Sequence, residues 1–317
     1  MNRQTFITFL TLLKRELWES PVAFKWTPLA IAGLIILFTI VAMVLGARFD
    51  TGMTFTSDAL RMFANEPPEQ KNLVVSGMLF SFSTIFFQLM LLIILFYLAG
   101  SLYDDRKDRS VLFWKSLPVS DWMTVMSKLG TAVILVPAMF LGAIMLTHLV
   151  LLMIASGYGL LAGVNPITEF WLPASLPRLW TVMAFGLIVQ ALWLLPIYAW
   201  LMFCSSWAPR LPILIAIAIP AAIAIMQHVW SLISTFNLPG FNLGLIMLKR
   251  LGAGIVPMSA DIQFDGNYDD IQFHPDLFMS LSNVFGYLVR WEMWIGLLIS
   301  AVLLAAAVWF RRRATDN

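Results

Sequence analysis

Six apolar stretches, each nearly free of charge, decide what this chain can fold into. They run over about 26–47, 77–100, 129–155, 180–204, 211–230 and 293–310. About 20 helical residues at 1.5 Å each cover the roughly 30 Å hydrocarbon core of a bilayer. A chain in lipid must also satisfy its own backbone hydrogen bonds, which an α-helix does within one segment. The apolar share of 60% and the mean hydropathy of +0.83 exceed the roughly 45–50% apolar content of a soluble globule. The expected fold class is therefore all-α integral membrane, a single transmembrane domain over 1–317 with six transmembrane helices. One cysteine, Cys204, allows no internal disulfide and reads as inert packing. A formal charge of +2 gives no support for a nucleic-acid partner.

The segments between the spans set the topology. Over 1–25, Phe6, Phe9, Leu10, Leu13 and Leu17 share one helical face, with Thr8, Thr11, Lys14 and Arg15 off it. This is an amphipathic helix too polar to cross; it lies in the interface, or else is an ordinary cytoplasmic helix. Residues 57–64 suit a short surface helix before Pro67 and Pro68, and 156–179 reads as a second loop on the same side. The long 231–290 segment is external or re-entrant, because its apolar part at 241–248 is too short to span. From His274-Pro275-Asp276 a helix is expected to run into Trp291. Six spans put both termini on one side. That side carries Arg3, Lys14, Arg15, Lys25, Arg106, Lys107, Arg109, Lys115, Lys128, Arg210 and Arg311 to Arg313, thirteen of the 20 basic residues. The positive-inside rule then predicts cytoplasmic termini. Trp26, Trp180, Trp230, Trp291 and Trp309 fall at expected span ends, where indoles favour the headgroup level.

On that topology 101–128 is a cytoplasmic loop and the densest charged segment in a chain only 12% charged. Asp104, Asp105 and Asp108 alternate with Arg106, Lys107 and Arg109; Val111, Leu112, Phe113 and Trp114 follow; Ser120 can cap a helix through Asp121. A solvated loop explains the charges. It does not explain four large apolar residues beside them, which call for a surface to bury against.

The order Asp105-Arg106, Ser110-Val111, Ser116-Leu117-Pro118-Val119-Ser120 and Lys128-Leu129 resembles the loop between the second and third spans of type 2 ABC exporter permeases. Lys14-Arg15-Glu16-Leu17 resembles the N-terminal elbow helix of that family. Lys107, Arg109 and Ser127 depart from the family pattern, where a second acid, a Gly and a Gly are usual. The resemblance implies an elbow helix, a cytoplasmic coupling helix in the loop, pairing with a second permease copy or a paralogue as a homodimer or heterodimer, and docking on a separate ABC ATP-binding subunit. It implies contacts to that subunit by Tyr103, Asp104, Asp105, Arg106, Arg109, Phe113, Trp114, Leu117, Lys14 and Arg15. No G-x-x-x-x-G-K-[ST] phosphate loop occurs in the sequence, so ATP and Mg would be handled on the partner subunit, with no cofactor in this chain. The implied function is export of a hydrophobic, lipid-like or peptide substrate across the cytoplasmic membrane. The chain would be no enzyme in its own right. An ion-coupled carrier or a membrane-embedded enzyme is the alternative, but a carrier needs ionisable groups at mid-membrane and the spans are nearly free of them.

Other candidates are single residues. Glu292, beside Arg290 and Trp291 at the start of the last span, lies either in a translocation path or in headgroup water. His148 and His228 read as hydrogen-bonded interior histidines. Asp265, Asn267, Asp269 and Asp276 have a calcium-loop spacing, but Asp270 stands where that loop needs Gly.

Overall fold

The computed structural model describes residues 3–49, 57–108, 119–233, 243–255 and 280–313, and among these there is no strand. The helices are α1 (Arg3–Glu19), α2 (Thr27–Phe49), α3 (Ser57–Ala64), α4 (Pro68–Lys107), α5 (Asp121–Gly130), α6 (Val136–Leu161), α7 (Leu176–Trp207), α8 (Pro212–Ile233), α9 (Leu243–Ile255), α10 (Leu281–Val289) and α11 (Trp291–Arg313). Six helical stretches are long and apolar enough to cross a membrane: Val22–Leu45, Pro68–Lys107, Asp121–Leu161, Ile167–Trp207, Pro212–Trp230 and Trp291–Arg313. This is a multi-pass membrane protein by length and composition.

Three wide π turns join or open these helices, at Val22–Trp26, Thr131–Leu135 and Ile167–Trp171. Each ends two residues before a proline: Pro28, Pro137 and Pro173. Proline lacks an N–H and its ring collides with the carbonyl four residues back. Those carbonyls belong to Phe24, Val133 and Glu169, each in the middle of a π turn, so the widened turn makes room for the ring. Pro196 and Pro220 sit inside α7 and α8 with no such turn.

The bundle is built around α7. Of its apolar window 67% is buried, against 11% for α8, so α7 is the axis and α8 a peripheral helix. α4 and α11 pack along α7, where Leu194, Met202 and Cys204 are sealed from solvent. α1 lies across α5, with Phe9 and Leu13 over Gly130; a Cβ there would meet Phe9 at 3.3 Å. The expected apolar stripe of α1 is split by this contact. Leu12 is buried and Phe9, Leu13 and Leu17 are half-buried, while Phe6 and Leu10 remain exposed.

Several connections are shorter than the sequence suggests. Tyr103 to Lys107 extend α4, Asp108 ends it, and Asp121 opens α5 on the Ser120 side-chain cap, which accepts from the Met123 N–H at 3.2 Å. A 40-residue α4 is about 60 Å long, roughly twice the hydrocarbon core, so its charged end stands clear of lipid. The expected loop at 156–179 is also largely helical. α6 runs to Leu161, and Gly159 is a packing glycine whose absent Cβ leaves 2.8 Å to the Phe170 ring. At Ser175 the chain turns with φ 45°, and the Asn72 amide holds that turn by donating to Pro173 O (2.8 Å) and Ser175 Oγ (2.9 Å). The helix expected to run into Trp291 is interrupted: α10 ends at Arg290, whose backbone is extended, and α11 starts afresh. His274-Pro275-Asp276 and the calcium-spaced Asp265, Asn267, Asp269 and Asp276 lie outside the described residues.

Candidate functional site

The first and last helices meet at one end of the bundle, where four buried charges come together. Glu16 of α1, Lys128 of α5 and Arg311 of α11 are each 3% exposed, and Asp105 of α4 is 6% exposed. Lys128 Nζ lies 3.3 Å from Glu16 Oε1 and 3.4 Å from Asp105 Oδ1. Arg311 Nη1 donates to Asp105 Oδ2 at 2.9 Å, and its Nε is 3.3 Å from Asp121 Oδ1 at the start of α5. The Tyr97 hydroxyl of α4 donates to Glu16 Oε2 at 2.7 Å. Arg15 stands on the rim, 2.5 Å from Glu19 and 4.0 Å from Glu16. Charges this deep are tolerated because each faces an opposite charge; removing one partner of such a set costs about 3–5 kcal/mol. The cluster ties α1, α4, α5 and α11 together and is an ionic clamp.

A second tie starts from the next residue of α4. Arg106 Nη2 donates to Ser205 O and Ala208 O, both at 2.8 Å, which satisfies the last carbonyls of α7. Ser205 Oγ in turn accepts from the Leu102 and Tyr103 N–H groups at 3.0 and 2.9 Å. Asp105 and Arg106 are therefore both engaged by groups of this chain. Both were expected to face a partner, and both are turned into the bundle. Tyr103 is half-buried with Arg106 over its ring, while Asp104 is exposed. Lys14 is exposed on the outer side of α1 over the Trp18 ring, and Arg15 is taken up by Glu19 and Glu16. Arg109, Phe113, Trp114 and Leu117 lie outside the described residues.

Beside the clamp a cleft of about 740 Å³ opens between α4 and the segment made of α1 and the turn after it. Its walls are sorted: Leu92, Ile93 and Phe96 form an apolar side, and Glu19, Asp104 and Asp108 an acidic rim, with Glu16, Asp105 and Lys128 of the clamp at the base. The space matches the volume of an amphiphile with an apolar body.

At the opposite end, α9 is fastened to α7 and α11. Arg250 lies over the Trp193 ring at 4.6 Å, its Nη2 donates to Glu292 O at 2.7 Å, and its guanidinium rests on Gly296, where a Cβ would overlap it. Burial pushes the Arg250 guanidinium down from its ordinary pKa, with the Glu292 carboxylate opposing. Gln190 donates to Gly254 O and Trp193 Nε1 to Arg250 O. Glu292 itself is exposed in the first turn of α11. Lys71 and Glu169 pair at 2.5 Å at the same end.

The interior histidine reading holds for His148 and fails for His228. His148 Nδ1 accepts from Trp180 Nε1 at 3.1 Å, so the proton is on Nε2, which faces Leu79 O and Ser83 Oγ, each at 3.0 Å. With both ring nitrogens spent it is a packing group. Trp180, expected at headgroup level, is the donor that reaches inward to it. His228 lies on an exposed face of α8. Among the described residues, no group of three His, Cys, Asp or Glu side chains could hold a metal ion. No protein-family model, curated protein or solved structure matches the chain.

Sequence reasoning quoted Glu16, Asp105 and Lys128 in three separate short motifs and gave the four-helix clamp no place. The available signal was position: Lys128 stands alone between Ser127 and Leu129 at the mouth of an apolar stretch, whereas Glu16 and Asp105 sit inside charged runs that look like surface. Arg311 was hidden among three consecutive arginines.

Proposed function

We propose that this chain is the transmembrane permease subunit of an ATP-driven exporter of the ABC class, moved by a separate ATP-binding subunit that docks at the clamp end. The observation that carries the reading is the clamp: it joins α1 to both helices that flank residues 108–120 and to the last span. A force applied at that connection or at α1 would reach three spans through buried ion pairs. The motif residues Glu16, Asp105 and Lys128, from three distant stretches, converge in that clamp, and the spans carry no ion-coupling pair at mid-depth among the described residues. Both observations favour a driven permease over an ion-coupled carrier. On this reading both termini are cytoplasmic, α1 is the elbow helix in the inner leaflet of the cytoplasmic membrane, the coupling helix belongs to the cytoplasmic segment 101–128, and a second permease copy or a paralogue completes the transporter. The sorted walls of the cleft favour an amphipathic, lipid-like or peptide cargo.

Phe113 and Trp114 are the apolar pair that would fill the partner's groove. Replacing both with Ala is expected to release the ATP-binding subunit in a pull-down while the chain stays inserted and folded; undiminished co-purification would remove the docking role.

A further inference from the structure

Two kinds of cation stand around α1 at the clamp end, apart from Lys107 at the tip of α4 and Arg313, which lies over the Trp309 ring at 3.8 Å. Arg15, Lys128 and Arg311 have carboxylate partners, and Arg106 is engaged by carbonyls. Lys14 and Lys25 are exposed and, among the described residues, have no carboxylate; each lies over an indole instead, Lys14 Nζ 4.9 Å from the Trp18 ring and Lys25 Nζ 5.4 Å from the Trp26 ring. Lys14, Trp18, Val22 and Trp26 follow one another at four-residue spacing, through the bend at Ser20 and the π turn, so they form one outward stripe. Trp18 and Val22 are 69% exposed and Trp26 57%. Below the stripe the same side of the chain continues into the exposed apolar face of α2, at Leu29, Leu34, Leu37 and Phe38.

From this arrangement we propose that the outer face of the segment from Lys14 to Trp26 is a docking surface for anionic phospholipid, with the two lysines receiving the headgroup phosphates and the two indoles packing at the glycerol level. The position argues for lipid: Lys25 is the fourth residue of the first span, Val22–Leu45, and so within its first turn, which sets its ammonium at the edge of the hydrocarbon, where phosphates lie. Charge sets the class. The adjoining face of the same segment lines the cleft with Glu19, and Asp104 and Asp108 of the α4 end stand across from it, so a headgroup of net negative charge is turned away there and drawn to the lysine stripe. Because the inner side of α1 carries Glu16 of the clamp, a lipid held on the outer side steadies the clamp as well. This inference needs only that the chain spans a membrane, and it stands or falls independently of an ATPase partner.

The test uses the purified full-length protein in phosphatidylcholine nanodiscs with increasing phosphatidylglycerol, read as the unfolding temperature. The wild type is expected to gain stability with phosphatidylglycerol. In Lys14→Gln/Lys25→Gln the response should require roughly 30-fold more anionic lipid, about fivefold per lysine, and so vanish over the accessible range. Lys14→Arg/Lys25→Arg should restore it, and Lys107→Gln, an exposed cation away from any indole stripe, should respond as the wild type does. A wild type indifferent to phosphatidylglycerol, a Gln double variant that responds like the wild type, or an equal gain from inorganic phosphate in pure phosphatidylcholine discs would each overturn the proposal.

Discussion

At the clamp end, ionised side chains from four helices meet out of reach of solvent; at the opposite end, α9 is held by one guanidinium resting on a glycine and by amide and indole N–H groups directed at carbonyls. The two arrangements respond differently to displacement. Sliding a buried ion pair apart strands both charges in a poor solvent, so the clamp holds one geometry and resists all others. The contacts of α9 are single hydrogen bonds and a ring contact, and breaking one costs about 1–3 kcal/mol, less than parting the ion pairs of the clamp. Rigidity at one end and compliance at the other is the mechanical requirement for a bundle that is gripped at one side and opens at the other.

The sharpest way to break this contrast is to delete the cation shared by two carboxylates. Lys128→Met should cost about 3–5 kcal/mol of stability in detergent, because Glu16 and Asp105 would both lose their common partner. A loss below about 1 kcal/mol, the size of a surface pair, would mean that water reaches the site and that the clamp is no clamp. At the other end, Gly296→Ala should displace Arg250 and cost about 1–3 kcal/mol by overpacking. Adding Arg250→Ala to it should recover most of that loss, and two additive penalties would show that the glycine matters for some other reason. Smallest is Lys71→Met at the Lys71–Glu169 pair, whose side chains are each 12% exposed. It is expected to cost less than Lys128→Met by at least half in the same unfolding measurement, and an equal cost would erase the asymmetry between the ends.

The spans were legible because a bilayer imposes length and polarity on sequence in a way no tertiary contact can hide. Their ends were not. Tyr103 to Lys107 look like loop because they are charged, yet they continue α4, since Asp105 and Arg106 find partners on α11, α5 and α7 that only the folded bundle supplies. Gly159 looks like a break, yet in lipid a glycine is a place for another ring to approach, as Phe170 does. The prolines were visible, but not that three of them would each be preceded by a π turn. The clamp was least legible of all: its Asp105 and Arg311 are 206 residues apart, and local periodicity says nothing about contacts at that separation. What the short motifs did carry was the identity of three of its members, Glu16, Asp105 and Lys128, without the fact that they touch.

A driven permease requires that something grip the clamp end and move it. Purification of the chain from its native membrane in mild detergent, followed by assay of the eluate for ATP hydrolysis, asks this directly. The account predicts that an ATP-hydrolysing subunit elutes with the chain in stoichiometric amount and is lost from the Phe113→Ala/Trp114→Ala variant. A chain that elutes alone, hydrolyses nothing and still moves cargo when placed by itself in sealed vesicles would contradict it.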